Sequence, residues 1–221
     1  MSKNPAAAAT PADAETQESS TVKARTAPAP ASRPALRLPN ATVTFTTRQG
    51  GVSEGPYESL NLGILTADDP ELHRFPIAYL SEPGFWSLSE AETMGLRTYL
   101  QKGGFLIFDD FFGEHWFNFE SQMLKVLPQA RLVRLDTSHP IFDSFFHITS
   151  LDYRHPYFGH PSEFYGIFED NDPSKRLMVI VNYNNDIGDY WEWSAEGLYG
   201  DAPTADAYRL GVDYLVYAMT H

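Results

Sequence analysis

The chain has 221 residues, with 16 Lys and Arg against 29 Asp and Glu, and no cysteine. A net charge of −13 excludes a basic nucleic-acid groove and disfavours an anionic membrane surface as partner. The absence of cysteine excludes disulfides, thiolate metal sites and a thiol nucleophile.

Residues 1–40 contain eleven Ala, six Pro and no aromatic residue. Such a segment buries too little apolar surface to offset its ordering entropy, so a disordered tail is expected there. Ala6–Ala9 is too short for the apolar part of a signal peptide, and Asp13, Glu15 and Glu18 argue against a transit peptide. No apolar run reaches the ~18 residues of a membrane span, and the expected location is the cytoplasm. All 31 aromatic residues lie in 41–221, enough for one core and one α/β domain.

Within that domain, Val43 to Thr47 alternates weakly, as a strand does, and residues 49–63 are rich in Gly, Ser, Pro and Asn, as a loop is. Phe75–Leu80 reads as a strand. Ser87-Leu-Ser-Glu90 fits a capping box that opens a helix, whose apolar face carries Leu88, Ala91, Gly95 and Tyr99. Lys102 and Gly103 suit its end. Gly104–Asp109 is a continuous apolar run ending in carboxylates, the pattern of a strand covered on both faces. Trp116 to Leu127 has helical spacing and stops at Pro128. Arg131–Leu135, Phe164–Phe168 and Leu177–Val181 are strand candidates, the last two joined through Asp172-Pro173. Residues 136–163 read mostly as loop, and 204–219 as a final helix. Alternating strands and helices predict a three-layer, mostly parallel sheet.

Two stretches resemble known families. DPELHRFPIAYLSEPG from Asp69, LRTYLQKGGFLIFDDFFGEHWFNFE (96–120), DTSHPIF (136–142), RLMVIVNYNNDIGDYWE (176–192) and AYRLGVDYLVYAMTH (207–221) resemble a bacterial domain-of-unknown-function family with a glutamine-amidotransferase-like, flavodoxin-type fold. That resemblance implies the fold without the amidotransferase triad, and no established reaction. FTTRQGGVSEGPYESLNLGILTADDP (45–70) resembles the N-terminal motif of the laccase-domain family, also described as purine nucleoside phosphorylases. The metal-binding set of two His and one Cys that this second resemblance implies is missing. Residues 41–70 then read as a foreign segment, a shortened first segment of the domain, or a case of local similarity only.

Ligands in open parallel sheets bind beyond the carboxyl ends of the strands. Asp109 and Asp110, followed by Glu114 and His115, fall at such an end. Adjacent carboxylates can hold a divalent cation, or one can rise in pKa and act as an acid; capping of the next helix competes with both. Asn182–Glu192 supplies Asn184, Asn185, Asp186, Asp189 and Glu192 after another strand. This pattern suits a Ca²⁺ or sugar loop, though the spacing is not that of an EF-hand, and a plain Asn/Asp turn competes. His139 precedes Pro140, and His155 and His160 sit five apart in a Pro/Gly/Tyr-rich loop without HExxH spacing. Arg48 with Gly50-Gly51 lacks the Walker Lys, and no GxSxG elbow exists.

Three functions compete. The first is a module without catalysis that binds a small polar ligand or a protein partner at the strand ends, with candidate residues Asp109, Asp110, Glu114, His115, His139, Asn184, Asp186, Asp189 and Glu192. The second is a metal- or carboxylate-dependent hydrolase of carbohydrate-like substrates, which requires Asp110, His139 and Asp186 to converge. The third is an inactive relative of the laccase-domain phosphorylases. No cofactor is expected beyond a divalent cation in the second, and the oligomeric state is open.

Overall fold

A computed structural model describes residues 43–46 and 66–221, the former as backbone only. The expected tail and most of the laccase-like segment lie outside the described residues. Six strands are described: β1 (Val43–Thr46), β2 (Ile77–Ser81), β3 (Phe105–Phe111), β4 (Val133–Arg134), β5 (Glu163–Phe168) and β6 (Leu177–Tyr183). They form one mixed sheet in the order β1-β2-β3-β6-β5-β4. The first four in that order run parallel, in a register that places Phe45 beside Tyr79, Tyr79 beside Ile107 and Ile107 beside Ile180. β5 joins β6 antiparallel, Tyr165 lying opposite Val181, and β4 joins β5 antiparallel, so that β4 again runs in the direction of β6. β1 occupies the edge beside β2, so the weakly alternating Val43–Thr46 does serve as a first strand. β4 is shorter than the sequence suggested, although the Leu135 N–H still reaches the Phe164 carbonyl at 2.8 Å.

The near-continuous apolar runs of β3 and β6 are buried because helices cover both faces. Helices α1 (Glu90–Gln101) and α2 (His115–Val126) cover one face, where Leu96, Leu100, Phe119 and Met123 pack on Leu106, Phe108, Val179 and Val181. Helices α3 (Ile187–Glu192) and α4 (Asp201–Thr220) cover the other, where Leu210, Tyr214 and Tyr217 pack near Phe105, Ile107 and Ile180. Each such fully buried side chain contributes roughly 1.5–3 kcal/mol.

Local chemistry sets the helix ends. The capping box of α1 is Ser89 with Glu92, not Ser87 with Glu90: Ser89 Oγ accepts from the Glu92 N–H at 3.2 Å, and Glu92 returns a bond to the Ser89 N–H at 2.9 Å. Both quartets satisfy the S-x-x-E pattern, and sequence cannot choose between boxes two residues apart. Arg97 ties α1 to the end of α2, bonding the Val126 and Lys125 carbonyls at 2.6 Å each. Gly95 admits the Ala67 carbonyl, which would lie 2.2 Å from any added Cβ. α4 starts at Asp201, three residues earlier than the spacing predicted, with Pro203 tolerated in its first turn. No helix among the described residues is long and apolar enough to cross a membrane.

One topological feature positions the site. β3 leads into α2 on one face, whereas its parallel neighbour β6 leads into α3 and α4 on the other. In open α/β sheets, ligands bind at the carboxyl ends of strands whose connections diverge in this way.

Candidate functional site at the carboxyl ends of the strands

The three adjacent parallel strands β2, β3 and β6 run out at their carboxyl ends through left-handed residues that are not glycine. These are Glu82 (φ 54°), Asp110 (φ 59°) and Asn184 (φ 55°). Asn tolerates this region; Glu and Asp adopt it at a steric cost, and such residues concentrate at functional sites. At Asp110 the left-handed turn coincides with a shift of register between Phe108 and Phe111. The shift swings the Asp110 side chain out of the alternation of β3.

Asp109 faces the α4 side of the sheet and is fully buried. Its Oδ2 accepts from the Tyr79 hydroxyl at 2.5 Å and from the Gly188 N–H at 3.0 Å; its Oδ1 accepts from Asn182 Nδ2 at 3.2 Å. Asn182 in turn accepts from the Tyr214 hydroxyl at 2.8 Å. Burial lifts the Asp109 carboxyl to about 6, against the pull of these donors. Both oxygens are committed, so Asp109 joins three strands and α3 into one polar knot.

Asp110 is only partly buried and accepts from the Ser81 hydroxyl at 2.8 Å. Burial pushes its pKa up to about 7, the Ser81 bond opposes this, and the charges of Asp109, Glu82 and Asp189 add to the rise. Asp186 caps α3, its Oδ1 accepting from the Asp189 N–H at 3.0 Å. Burial, then Asp109, Asp110 and Asp189, push its carboxyl up to about 10. Asp186 is therefore a neutral acid at physiological pH, with a proton to donate. Asp189 Oδ2 accepts from the hydroxyls of Tyr157 at 2.6 Å and Tyr199 at 2.9 Å.

Aromatic rings border these carboxyls. Phe112, two residues after Asp110, packs against His115, His155 and Phe158 with centroids 4.7, 5.2 and 4.2 Å away. Phe85, Tyr157 and Phe158 are exposed. His155 is buried, and burial followed by the nearby His160 depresses its pKa to about 4, so it is a neutral ring.

The structure thus brings Asp109, Asp110, Asp186 and Asp189 together, keeps Asn184 and His115 near the same strand ends in packing and clamping roles, and places His139 elsewhere. Asn184 is a clamp, its Oδ1 accepting from the Gly113 N–H at 3.1 Å and its Nδ2 reaching the Pro161 carbonyl at 3.3 Å. Glu114 is an exposed residue at the start of α2 and makes no capping bond. His115 packs between Phe85 and Phe112. Glu192 ends α3, exposed. His139 packs on Phe168 and Tyr217; Phe168 pairs with Leu177, the first residue of β6, so His139 lies at the opposite end of the sheet from Asp110. The convergence of Asp110, His139 and Asp186 that the sequence reading required does not occur.

Asn182–Glu192 is not the expected oxygen-rich loop: β6 runs to Tyr183, and from Ile187 the segment is helix, opened by the Asp186 cap. Among the described residues, no three His, Asp or Glu side chains are placed to hold a metal ion. Tyr79, Ser81, Tyr157 and Tyr199 join the site from positions that no motif in the sequence marks as functional. Only Tyr157 carries any other signal, the aromatic and Gly-rich HPYFGHP loop.

An α/β domain whose divergent strand ends gather carboxyls and phenols, with no cysteine, is the class that fold and site define. Residues 57–219 match the profile of a domain of unknown function, DUF4159, and the chain belongs to that family. Comparison with proteins of curated function returned no match.

Proposed function

We propose that this chain is an amidotransferase-like domain without the amidotransferase triad, and that it binds a small, non-anionic polar ligand at the carboxyl ends of β3 and β6. The observation that carries the reading is Asp110: a carboxyl on a left-handed residue between strand and helix, partly open to solvent, and poised near neutrality beside Asp186. A carboxyl near its pKa both donates and accepts, which suits hydroxyl and amine groups. The acidic charge of Asp189 and Glu82 repels anions, and the exposed ring of Phe158, packed on Phe112 two residues after Asp110, offers apolar surface.

Binding is placed ahead of hydrolysis because Asp109 has both oxygens occupied by structural donors and His139 lies at the far end of the sheet. Titration calorimetry tests the reading, with glucose, spermidine and glucose 6-phosphate as probes of neutral, cationic and anionic chemistry. The expected result is heat with a non-anionic probe, at least about tenfold weaker in Asp110→Asn, and none with the phosphate ester. Silence with both non-anionic probes, or indifference to Asp110→Asn, overturns it.

A further inference from the structure

A separate cavity of about 300 Å³ lies between the 152–154 segment, the turn that enters α3, and the first half of α4. None of Asp109, Asp110, Asp186 and Asp189 lines it, so it does not depend on the reading above. Ile187 and Leu210 supply aliphatic wall, and Tyr153 and Tyr190 supply phenol rings. Asn185 is in the wall as well, 1% exposed. Its Oδ1 accepts from the Asp186 N–H at 2.9 Å, but its Nδ2 has no hydrogen-bond partner. A buried N–H left unmade costs about 1–3 kcal/mol, which a ligand oxygen would recover.

The charges at the cavity oppose one another. Asp152 and Asp206 stand against Arg154, and Asp206 Oδ1 is held by Arg209 at 2.6 Å. A wall of mixed sign selects neither a cation nor an anion. It suits a neutral molecule with acceptor oxygens for Asn185 and hydroxyls for the aspartates. The volume sits at the lower end of ligand pockets, roughly 300–1,000 Å³, and so admits one ring rather than a dinucleotide or a chain. A molecule apolar on its C–H face and hydroxylated at its edge matches aliphatic and phenol walls together with rim carboxylates.

We propose that this cavity binds a single pyranose-type sugar ring, with Asn185 Nδ2 donating to a ring substituent oxygen and Tyr153 and Tyr190 packing on its C–H face. The test is NMR on the ¹⁵N-labelled full chain, titrated with methyl glucopyranoside, methyl galactopyranoside and methyl mannopyranoside into the millimolar range. The expected result is a shift of the Asn185 side-chain amide and of backbone amides in 185–190 and 202–207 with one of the three. Two variants locate the site. Ala202 is exposed in the first turn of α4 and lines the cavity, so Ala202→Trp obstructs it without disturbing the core. Asn185→Asp keeps the Oδ1 acceptor and replaces the unpartnered donor. Each is expected to weaken binding at least about tenfold.

No perturbation by any pyranoside overturns the proposal, and so does binding unaltered in either variant. Shifts confined to Ser81, Asp110 and Tyr157 overturn it too, while supporting a ligand at the strand ends. A silent cavity together with calorimetric heat that depends on Asp110 separates failure here from failure of that reading.

Discussion

The Gly188 N–H donates to Asp109 Oδ2 at 3.0 Å, joining the end of β3 to the first turn of α3 across 79 residues of chain. The bond requires the backbone of α3 to lie against the carboxylate, and only a residue without a side chain allows it. A Cβ on Gly188 would sit 2.7 Å from the Tyr79 hydroxyl, itself bound to Asp109. Gly188→Ala is therefore expected to destabilise the fold by about 1–3 kcal/mol despite the better helix propensity of Ala. Urea unfolding of the two proteins measures the difference; an unchanged midpoint would show that the knot yields freely.

The Asp186 carboxyl makes stability depend on pH in a stated direction. Its ordinary value is 3.8 and its native value about 10, so between these limits the folded chain holds a proton that the unfolded chain releases. Stability falls as pH rises through that window, and Asp109 and Asp110 add to the fall up to about 6 and 7. His155 acts oppositely in acid, since its native pKa of about 4 lies below 6.5 and stability drops as pH falls between the two. Asp186→Asn keeps the Oδ1 cap on the Asp189 N–H and has no charge to bury. The variant is expected to match the wild type near pH 4 and to become increasingly more stable than it as the pH rises toward 9. Thermal unfolding across pH checks this, and a constant gap between the two proteins would remove the assignment of the buried proton to Asp186.

Tyr79→Phe removes a single oxygen from the knot. Asp109 keeps the Gly188 and Asn182 donors and loses its shortest bond. A cost of about 1–3 kcal/mol is expected, with the greater loss above pH 6, where Asp109 is charged and needs the donor most. Paired denaturation curves at pH 5 and pH 8 provide the measurement; an equal loss at both would mean that Asp109 does not change its ionisation between them.

The residues that sequence placed well share one property: their signal is local or repeats along the chain. The apolar run of β3 needs cover on two faces wherever it sits, and the spacing of Leu210, Tyr214 and Tyr217 defines the inner face of α4 without reference to any neighbour. The Asp109–Asp110 pair was legible for the same reason, because a carboxylate at the end of a buried strand marks the strand end itself. Its partners were not. Tyr79, Gly188 and Asn182 reach Asp109 from separations of 30, 79 and 73 residues, and no sequence window holds them together. His139 failed by the converse route: β4, which precedes it, runs parallel to β6 and ends at the same edge as Asp110, but the chain then turns back and packs His139 on Phe168 and Tyr217 at the opposite end. The short α3 was hidden because Asn and Asp, which mark turns, also mark helix N-caps.

The two candidate capping boxes before α1 can be separated by substitution. Ser89 Oγ receives the Glu92 N–H, and the Glu92 carboxylate receives the Ser89 N–H, so the pair satisfies two helix donors that otherwise lack partners. Ser87 precedes the cap and is exposed. Ser89→Ala is expected to cost about 1 kcal/mol, the usual loss for an N-cap, and Ser87→Ala to fall within about 0.5 kcal/mol of the wild type. Glu92→Gln keeps an acceptor oxygen for the Ser89 N–H and loses only the charge, so it should cost less than Ser89→Ala. Chemical denaturation of the three variants ranks them directly. A larger loss at Ser87 than at Ser89 would move the start of α1 to the earlier box.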